Sequence, residues 1–197
     1  MAIKIYIDQG HNPENPNAGA EANGVREQDI TYAVGQALYD LLEADPNFAV
    51  RLSRPTPDLI LGTSNTTSLA ARVNDANAWG ADYFLSLHTN ASENSSAGGS
   101  EAFVFSRTSP AFPLAEDILQ WLRYETGLRT RGVFVRPGLY VLRNTAMPST
   151  LIELGFISNP EEAALMSEEP ERFARGIYRG LQEYFGMLRY NVSLCLM

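Results

Sequence analysis

The sequence of 197 residues has little of three features that would each indicate a different class of protein. It contains one cysteine, Cys195, so it can form neither an internal disulfide nor a cysteine-based metal cluster. No apolar run approaches the roughly 18 residues of a membrane-spanning helix, so we expect no membrane span. Lys and Arg number 15 against 23 Asp and Glu, and the resulting net charge of −8 argues against a nucleic-acid-binding groove. Any metal ion must therefore be held by histidine and carboxylate ligands.

Strand-like and helix-like segments alternate along the chain, which predicts an α/β domain with helices covering a sheet. A hydrophobic content of 45% over this length is enough for the core of a single domain. The predicted strands cover residues 3–8, 48–52, 83–87, 101–105, 139–142 and 149–154. The predicted helices cover residues 29–43, 64–77 and 109–125, with one or two more between 160 and 185. No internal repeat and no linker divides the sequence into two domains.

The chain has only two histidines, and each follows a segment predicted to be a strand. His11 follows residues 3–8, and His88 follows residues 83–87. Imidazoles at strand ends, on the loop side of a sheet, are where α/β enzymes assemble metal and catalytic sites. A single histidine in such a place is more often a hydrogen-bonded structural residue. The pair predicts one shared site.

A zinc site built on two imidazoles needs a third protein ligand, and a catalytic zinc leaves its fourth position to water. Glu27 is the favoured candidate, because it lies at the entry to the first predicted helix, where its carboxylate can turn back toward the strand ends. Glu14, Glu21 and Asp29 remain alternatives.

Glu153 is an acid inside an otherwise apolar predicted strand. Burying a carboxylate there is costly unless a metal, hydrogen bonds or a raised pKa compensates, so its position indicates a function. A hydrolytic zinc site needs a general base, and Glu153 fits that role. Its alternative role is to pair with Arg143 or Arg131. We assign structural rather than substrate-binding roles to Asn90, Arg72 and Asn77.

Three segments carry a resemblance to a known family. They are IYIDQGH at residues 5–11, SLHTNA at residues 86–91 and LIELGFISN at residues 151–159. They closely resemble the zinc-dependent N-acetylmuramoyl-L-alanine amidases of the type 3 group of cell-wall hydrolases, and shorter matches extend from residue 3 to about residue 185. The resemblance implies a catalytic domain over residues 1–185, with a twisted, mixed and largely parallel sheet flanked by helices on both faces.

The resemblance also implies an activity and a site. One Zn²⁺ per chain is held by His11, Glu27 and His88 with water as the fourth ligand, and Glu153 acts in catalysis. The substrate is peptidoglycan, cleaved at the amide between the lactyl group of N-acetylmuramic acid and L-alanine. The interval from His88 to Glu153 looks too short for the helical insertion that blocks the zinc in some periplasmic relatives, so we expect an open site.

The resemblance further implies action outside the cytoplasm, in the cell wall or periplasm. We find no basic start followed by an apolar core, and so expect no signal peptide within this chain. Since the acidic charge would repel anionic wall polymers, we expect a separate wall-targeting module or partner. The apolar tail over residues 186–197 is expected to pack on the domain or on a second copy, and its alternative is a truncated linker.

Two other functions remain open at this point. One is a zinc carboxypeptidase or aminopeptidase acting on peptides, because related folds place a metal similarly. The other is a non-catalytic wall-binding module descended from an amidase, although the two histidines and two glutamates argue against it. A serine hydrolase is disfavoured, since the Gly-X-Ser-X-Gly motif does not occur.

Overall fold

The computed structural model describes residues 1–188, so the predicted tail over residues 186–197 lies mostly outside the described part. The strands are β1 (Ile3–Gln9), β2 (Glu21–Ala22), β3 (Val25–Arg26), β4 (Phe48–Leu52), β5 (Tyr83–Asn90), β6 (Ser100–Val104), β7 (Thr130–Val135) and β8 (Ser149–Phe156). The helices are α1 (Glu27–Glu43), α2 (Asn65–Trp79), α3 (Ala111–Thr126), α4 (Tyr140–Asn144), α5 (Pro160–Glu168) and α6 (Pro170–Tyr184).

Six of the strands form one sheet in the order β4-β1-β5-β8-β6-β7. Every neighbouring pair is parallel except β8 and β6, which run antiparallel. The short strands β2 and β3 form a separate hairpin. The predicted α/β class, with a mixed and largely parallel sheet, is therefore confirmed. No helix within residues 1–188 has the length and apolarity needed to cross a membrane.

Helices pack on both faces of the sheet, as predicted. Successive residues of a strand point to opposite faces, and β1 shows this clearly: Ile5 and Ile7 join a large core, whereas Tyr6 joins a smaller one. The large core lies under α1, α3 and α6, and the smaller core lies under α2 and α4. Helices α3 and α6 approach closely, because a Cβ at Gly180 would lie 2.5 Å from the Cα of Ile118.

The predicted strand at residues 139–142 is wrong, because this segment forms the start of helix α4. Its short apolar run has no periodicity that separates a strand from a buried helical turn. The Pro137-Gly138 turn leads directly into the helix, and Val141 and Leu142 are buried in the smaller core.

Strand β7 was missed by the sequence interpretation. It contains Gly132, which weakens a strand pattern and here has a φ of 112°. The start of α2 was predicted correctly, since Ser64 is its N-cap and forms a capping box with Thr67.

Candidate metal and catalytic site

The candidate residues gather at one edge of the sheet. Strands β1, β5 and β8 are parallel neighbours, so their carboxyl ends meet at the same edge. His11 lies two residues beyond the end of β1. His88 lies inside β5 rather than after it, because β5 continues to Asn90 and not to the predicted end at residue 87. Glu153, inside β8, is the register partner of His88.

The backbone at residues 10 and 11 brings the two imidazoles together. A Cβ at Gly10 would lie 2.4 Å from the carbonyl oxygen of Leu87 and 2.6 Å from Cε1 of His88, so only glycine fits there. His11 has a φ of 67°, in the left-handed region that residues with a side chain rarely adopt. Its carbonyl accepts a hydrogen bond from Nη2 of Arg72, which holds this turn. The ring centroids of the two histidines lie 4.9 Å apart.

Glu27 is the first residue of α1, and its carboxylate lies between the two imidazoles. Oε2 is 3.2 Å from Nε2 of His11, and Oε1 is 3.1 Å from Nδ1 of His88. The backbone N–H groups of Ala20 and Thr89 also donate to this carboxylate, at 3.0 and 2.9 Å. Glu27 is thereby fixed in position by groups from three different segments of the chain.

These three side chains can each offer one ligand atom, and the atoms all lie within 4.8 Å of one another. Burial by itself raises the pKa of Glu27, but the hydrogen bonds and charges of the two imidazoles outweigh it and hold that pKa well below its ordinary value. Two imidazole nitrogens and an ionised carboxylate are ligands that zinc accepts. Nδ1 of His11 is buried without a hydrogen-bond partner within the described chain. The residues therefore fit a metal ion.

The alternative third ligands do not join this group. Glu14 and Glu21 are exposed, and Asp29 forms an ion pair with Arg26 at 2.7 Å. Within residues 1–188, the cluster of His11, Glu27 and His88 is the one group of three or more histidine and acidic side chains with metal-binding spacing.

Glu153 lies beside this cluster with an unused oxygen. Its Oε2 is buried and has no hydrogen-bond partner among residues 1–188. Arg131, one of its predicted alternative partners, pairs instead with Glu101 at 2.9 Å. Burial, together with the negative charges of Glu27 and Glu101, raises the pKa of Glu153 to about 8. A nearby dication would oppose this shift by favouring the ionised carboxylate.

Comparison with known proteins identifies the family. Residues 5–183 match the model of the family described as N-acetylmuramoyl-L-alanine amidase. The chain belongs to the N-acetylmuramoyl-L-alanine amidase family. This amidase is 34% identical over 196 residues to the N-acetylmuramoyl-L-alanine amidase CwlM of Bacillus licheniformis, covering 98% of this chain and 72% of that protein. It is 30% identical to a germination-specific N-acetylmuramoyl-L-alanine amidase of Bacillus subtilis, covering 92% of this chain and 79% of that protein.

Solved structures agree with this family. The catalytic domain of the amidase CwlV from Bacillus (Paenibacillus) polymyxa superimposes with a TM-score of 0.81 at 29% identity, covering 94% of this chain and 99% of that one. The amidase CwlD from Clostridioides difficile, solved in complex with the GerS lipoprotein, gives a TM-score of 0.85 at 28% identity, covering 94% and 100%. The chain is thus an enzyme of the amidase family with the fold of an amidase catalytic domain.

A buried ion pair holds the segment of this amidase that carries His11. Nη1 of Arg72 donates to Oδ1 of Asp8 at 2.6 Å, and both side chains are 1% exposed. The same guanidinium also reaches the carbonyl oxygens of Gln9 and His11. Arg72 therefore has the structural role that we predicted, and it ties the end of β1 to α2.

Glu101 was missed by the sequence interpretation. It is the cross-strand partner of Glu153 in the antiparallel pairing of β6 and β8. Its carboxylate accepts hydrogen bonds from Nδ2 of Asn90 at 2.7 Å and from Nε of Arg131 at 2.9 Å. The sequence signal was an acid in a predicted strand, but the strand pairing that brings it to Glu153 could not be read from the sequence.

Proposed function

We propose that this amidase hydrolyses the amide bond between the lactyl group of N-acetylmuramic acid and L-alanine in peptidoglycan, using one Zn²⁺ per chain. His11, Glu27 and His88 would hold the ion, with water as its fourth ligand. The observation that carries this proposal is the placement of a fixed carboxylate between two imidazoles, beside Glu153, whose buried Oε2 has no hydrogen-bond partner within residues 1–188.

The protein groups divide the chemistry between them. Bound zinc supplies Lewis acidity, which polarises a carbonyl group and lowers the pKa of a water molecule. Glu153 would take a proton from the attacking water at its free Oε2. As the carbon–nitrogen bond breaks, Glu153 would give that proton to the departing nitrogen of L-alanine. The products are a lactyl carboxylate on the glycan and a peptide with a free amino terminus.

The desolvated carboxyl group of Glu153 suits this proton transfer. Without a metal its pKa is raised to about 8, which makes the carboxylate a stronger base than an exposed one, and a bound dication would lower this pKa and favour the ionised form that takes the first proton. Glu27, in contrast, keeps a low pKa and stays ionised, as a metal ligand must.

The site is accessible from solvent, which supports action without an activator. The side chains of His11 and His88 are 20% and 18% exposed. Helix α3, which lies between β5 and β8 in sequence, packs with α6 on the face of β5 that carries Leu85 and Leu87, and His88 lies on the opposite face. The family relationship to cell-wall amidases supports extracellular or cell-wall action.

Mass spectrometry of a peptidoglycan digest tests the function. The zinc-loaded protein should release stem peptides that begin with a free L-alanine amino group, and should leave N-acetylmuramic acid with a free lactyl carboxylate. A chelator should stop the release, and added zinc should restore it. Shortened peptides still attached to the glycan would indicate a carboxypeptidase, and walls bound without any cleavage would indicate a binding module.

A further inference from the structure

One segment of this acidic protein carries only positively charged residues. Residues 127–143 contain Arg129, Arg131, Arg136 and Arg143 and no Asp or Glu, although the chain carries a net charge of −8. This segment includes β7, which is the last strand of the sheet. An edge strand needs charged residues to avoid pairing with other chains, but that requirement does not explain why one arginine turns toward the site.

A β-bulge gives Arg131 its direction. Ser100 of β6 lies opposite Thr130, and the next residue, Glu101, lies opposite Gly132. Arg131 is therefore the extra residue of the bulge, a feature that re-aims side chains next to active sites. Its Nε donates to Oε2 of Glu101 at 2.9 Å.

Arg131 ends a row of side chains that starts at the metal cluster. His88 pairs with Glu153, and Glu153 pairs with Glu101, so these residues lie side by side on one face of the sheet. Neighbouring strands lie about 4.8 Å apart. The guanidinium of Arg131, which bonds to Glu101, is thus on the order of 10 Å from the carboxyl group of Glu153.

A second arginine converges on the same point. Nε of Arg129 and Nη1 of Arg131 both donate to the carbonyl oxygen of Gly98, at 2.9 and 3.2 Å. These two guanidinium groups repel each other, and within residues 1–188 the ion pair with Glu101 involves Arg131 and not Arg129, so a further anion would be attracted between them.

Arg131 keeps donors free for such an anion. Its side chain is 33% exposed and stacks over the ring of Phe156, with 5.0 Å from Cζ to the ring centroid. Within residues 1–188 its hydrogen bonds use Nε and Nη1, so the Nη2 end remains available. The planar fork of a guanidinium matches a carboxylate.

We propose that Arg131, assisted by Arg129, binds a carboxylate of the peptide on the leaving side of the scissile amide, and so determines which stem peptides are cleaved well. This inference rests on the proposed function. The carboxylate belongs to the peptide half, because the acetylated amino sugars on the other side of the amide are uncharged. A distance of about 10 Å corresponds to two or three residues of extended peptide, at about 3.3 Å per residue.

Two synthetic substrates test the inference on the zinc-loaded chain. Both are N-acetylmuramoyl tripeptides that begin with L-alanine, and their second and third residues carry either free or amidated carboxylates. The wild type should favour the free acid by about tenfold in kcat/KM, as expected for a charge-assisted hydrogen bond. Arg131→Gln should reduce that preference to within about twofold, and Arg129→Gln should reduce it partly. Arg131→Lys, which keeps the charge, should retain an intermediate preference.

Arg136→Gln is the matched control, since it removes the same charge from the end of β7 and should leave the preference unchanged. A wild type without preference would overturn the inference. So would an Arg131→Gln variant that slows both substrates equally, because Arg131 would then act only by positioning Glu101. If Arg131→Gln does not fold by circular dichroism, Arg131→Lys decides, and a full tenfold preference in that variant would contradict a role for the guanidinium fork.

If the wild type cleaves neither substrate, the proposed function fails, and a binding measurement still decides the inference. Calorimetric titration would use the same two tripeptides without the N-acetylmuramoyl group. The tripeptide with unamidated carboxylates should bind more tightly to the wild type than to Arg131→Gln. Equal binding by both proteins would overturn the role of Arg131 independently of catalysis.

Discussion

Asp8 is a buried acid and Glu153 a half-buried one on the same face of the sheet, and the surroundings of their carboxylates differ completely. Asp8 accepts hydrogen bonds from Arg72 at 2.6 Å and from Ser86 at 2.7 Å. Burial opposes its ionisation, but the charge and hydrogen bonds of these partners hold its pKa below the ordinary value. Glu153 has a buried oxygen without a partner in the described chain and a pKa raised to about 8.

The comparison separates an acid that supports the fold from one that we propose to act in catalysis. The partners of Asp8 compensate for its burial, so this residue joins β1, α2 and β5 into one unit. The environment of Glu153 leaves the cost of burial uncompensated, and natural proteins retain such a cost mainly at functional sites. Changing Glu153 should therefore reduce activity without reducing stability, whereas changing Asp8 should reduce stability.

The largest effect should come from Glu153→Gln, measured as the rate of peptide release from peptidoglycan. Because the amide cannot accept the proton from water, we expect the rate to fall by at least about 100-fold. Thermal unfolding should show no loss of stability, since the variant removes a carboxylate whose buried Oε2 has no hydrogen-bond partner within residues 1–188. A variant with a rate close to that of the wild type would remove Glu153 from the mechanism.

Asp8→Asn should instead reduce stability. The change leaves the guanidinium of Arg72 buried without its carboxylate, and we expect a loss of about 3–5 kcal/mol in the free energy of unfolding. Urea denaturation of the metal-free protein measures it. Asp58→Asn makes the same change at an exposed acid and should stay within about 0.5 kcal/mol of the wild type. Equal stability of the two variants would contradict a structural role for Asp8.

The pH dependence of stability should have opposite signs for the two acids in metal-free protein. The folded pKa of Asp8 is depressed, so its contribution is fully present above 3.8 and is lost as the pH falls through the folded pKa. The folded pKa of Glu153 is raised, so stability falls as the pH rises from 4.5 toward about 8.

Melting temperatures measured from about pH 3 to about pH 9 would show both effects, because this range includes the ordinary pKa of both acids and the raised pKa of Glu153. The deficit of Asp8→Asn should shrink at the acid end. The stability of Glu153→Gln relative to the wild type should increase toward the alkaline end. Parallel curves for all three proteins would mean that neither acid has a shifted pKa.

The smallest effect should come from Ser86→Ala, which removes one hydrogen bond to the charged carboxylate of Asp8. We expect a loss of about 1.5–3 kcal/mol in the free energy of unfolding. Thr150→Ser is a suitable comparison, because it keeps a buried hydroxyl on the neighbouring strand β8. A loss at residue 86 no larger than at residue 150 would show that Asp8 does not need its second partner.

The sequence predicted those parts of the fold that depend on local pattern. Alternation of apolar residues predicted β1 and β4, and Ser64 predicted the start of α2. The segment at residues 139–142 failed, because a run of four apolar residues fits either element and packing against the smaller core decides between them. Strand β7 was not predicted, because the bulge at Arg131 interrupts the alternation of apolar residues along it.

The candidate site could be predicted to a similar extent. The two histidines and Glu153 stand out because of their residue types and their places in or near predicted strands. Glu27 could be favoured as the third ligand, but the sequence could not exclude the other acids of the same loop. Only folding brings the backbone N–H groups of Ala20 and Thr89 to its carboxylate. Glu101 depended on an antiparallel pairing that no local pattern predicts.

The most direct test of this account is the affinity of the metal-free protein for zinc, measured by competition titration in two variants. Glu27→Gln should bind zinc at least about tenfold more weakly than the wild type, because it loses an anionic ligand. Glu153→Gln should bind zinc within a few-fold of the wild type while it loses turnover. If Glu153→Gln loses zinc as Glu27→Gln does, or if Glu27→Gln binds zinc as tightly as the wild type, the division between metal ligand and general base is contradicted.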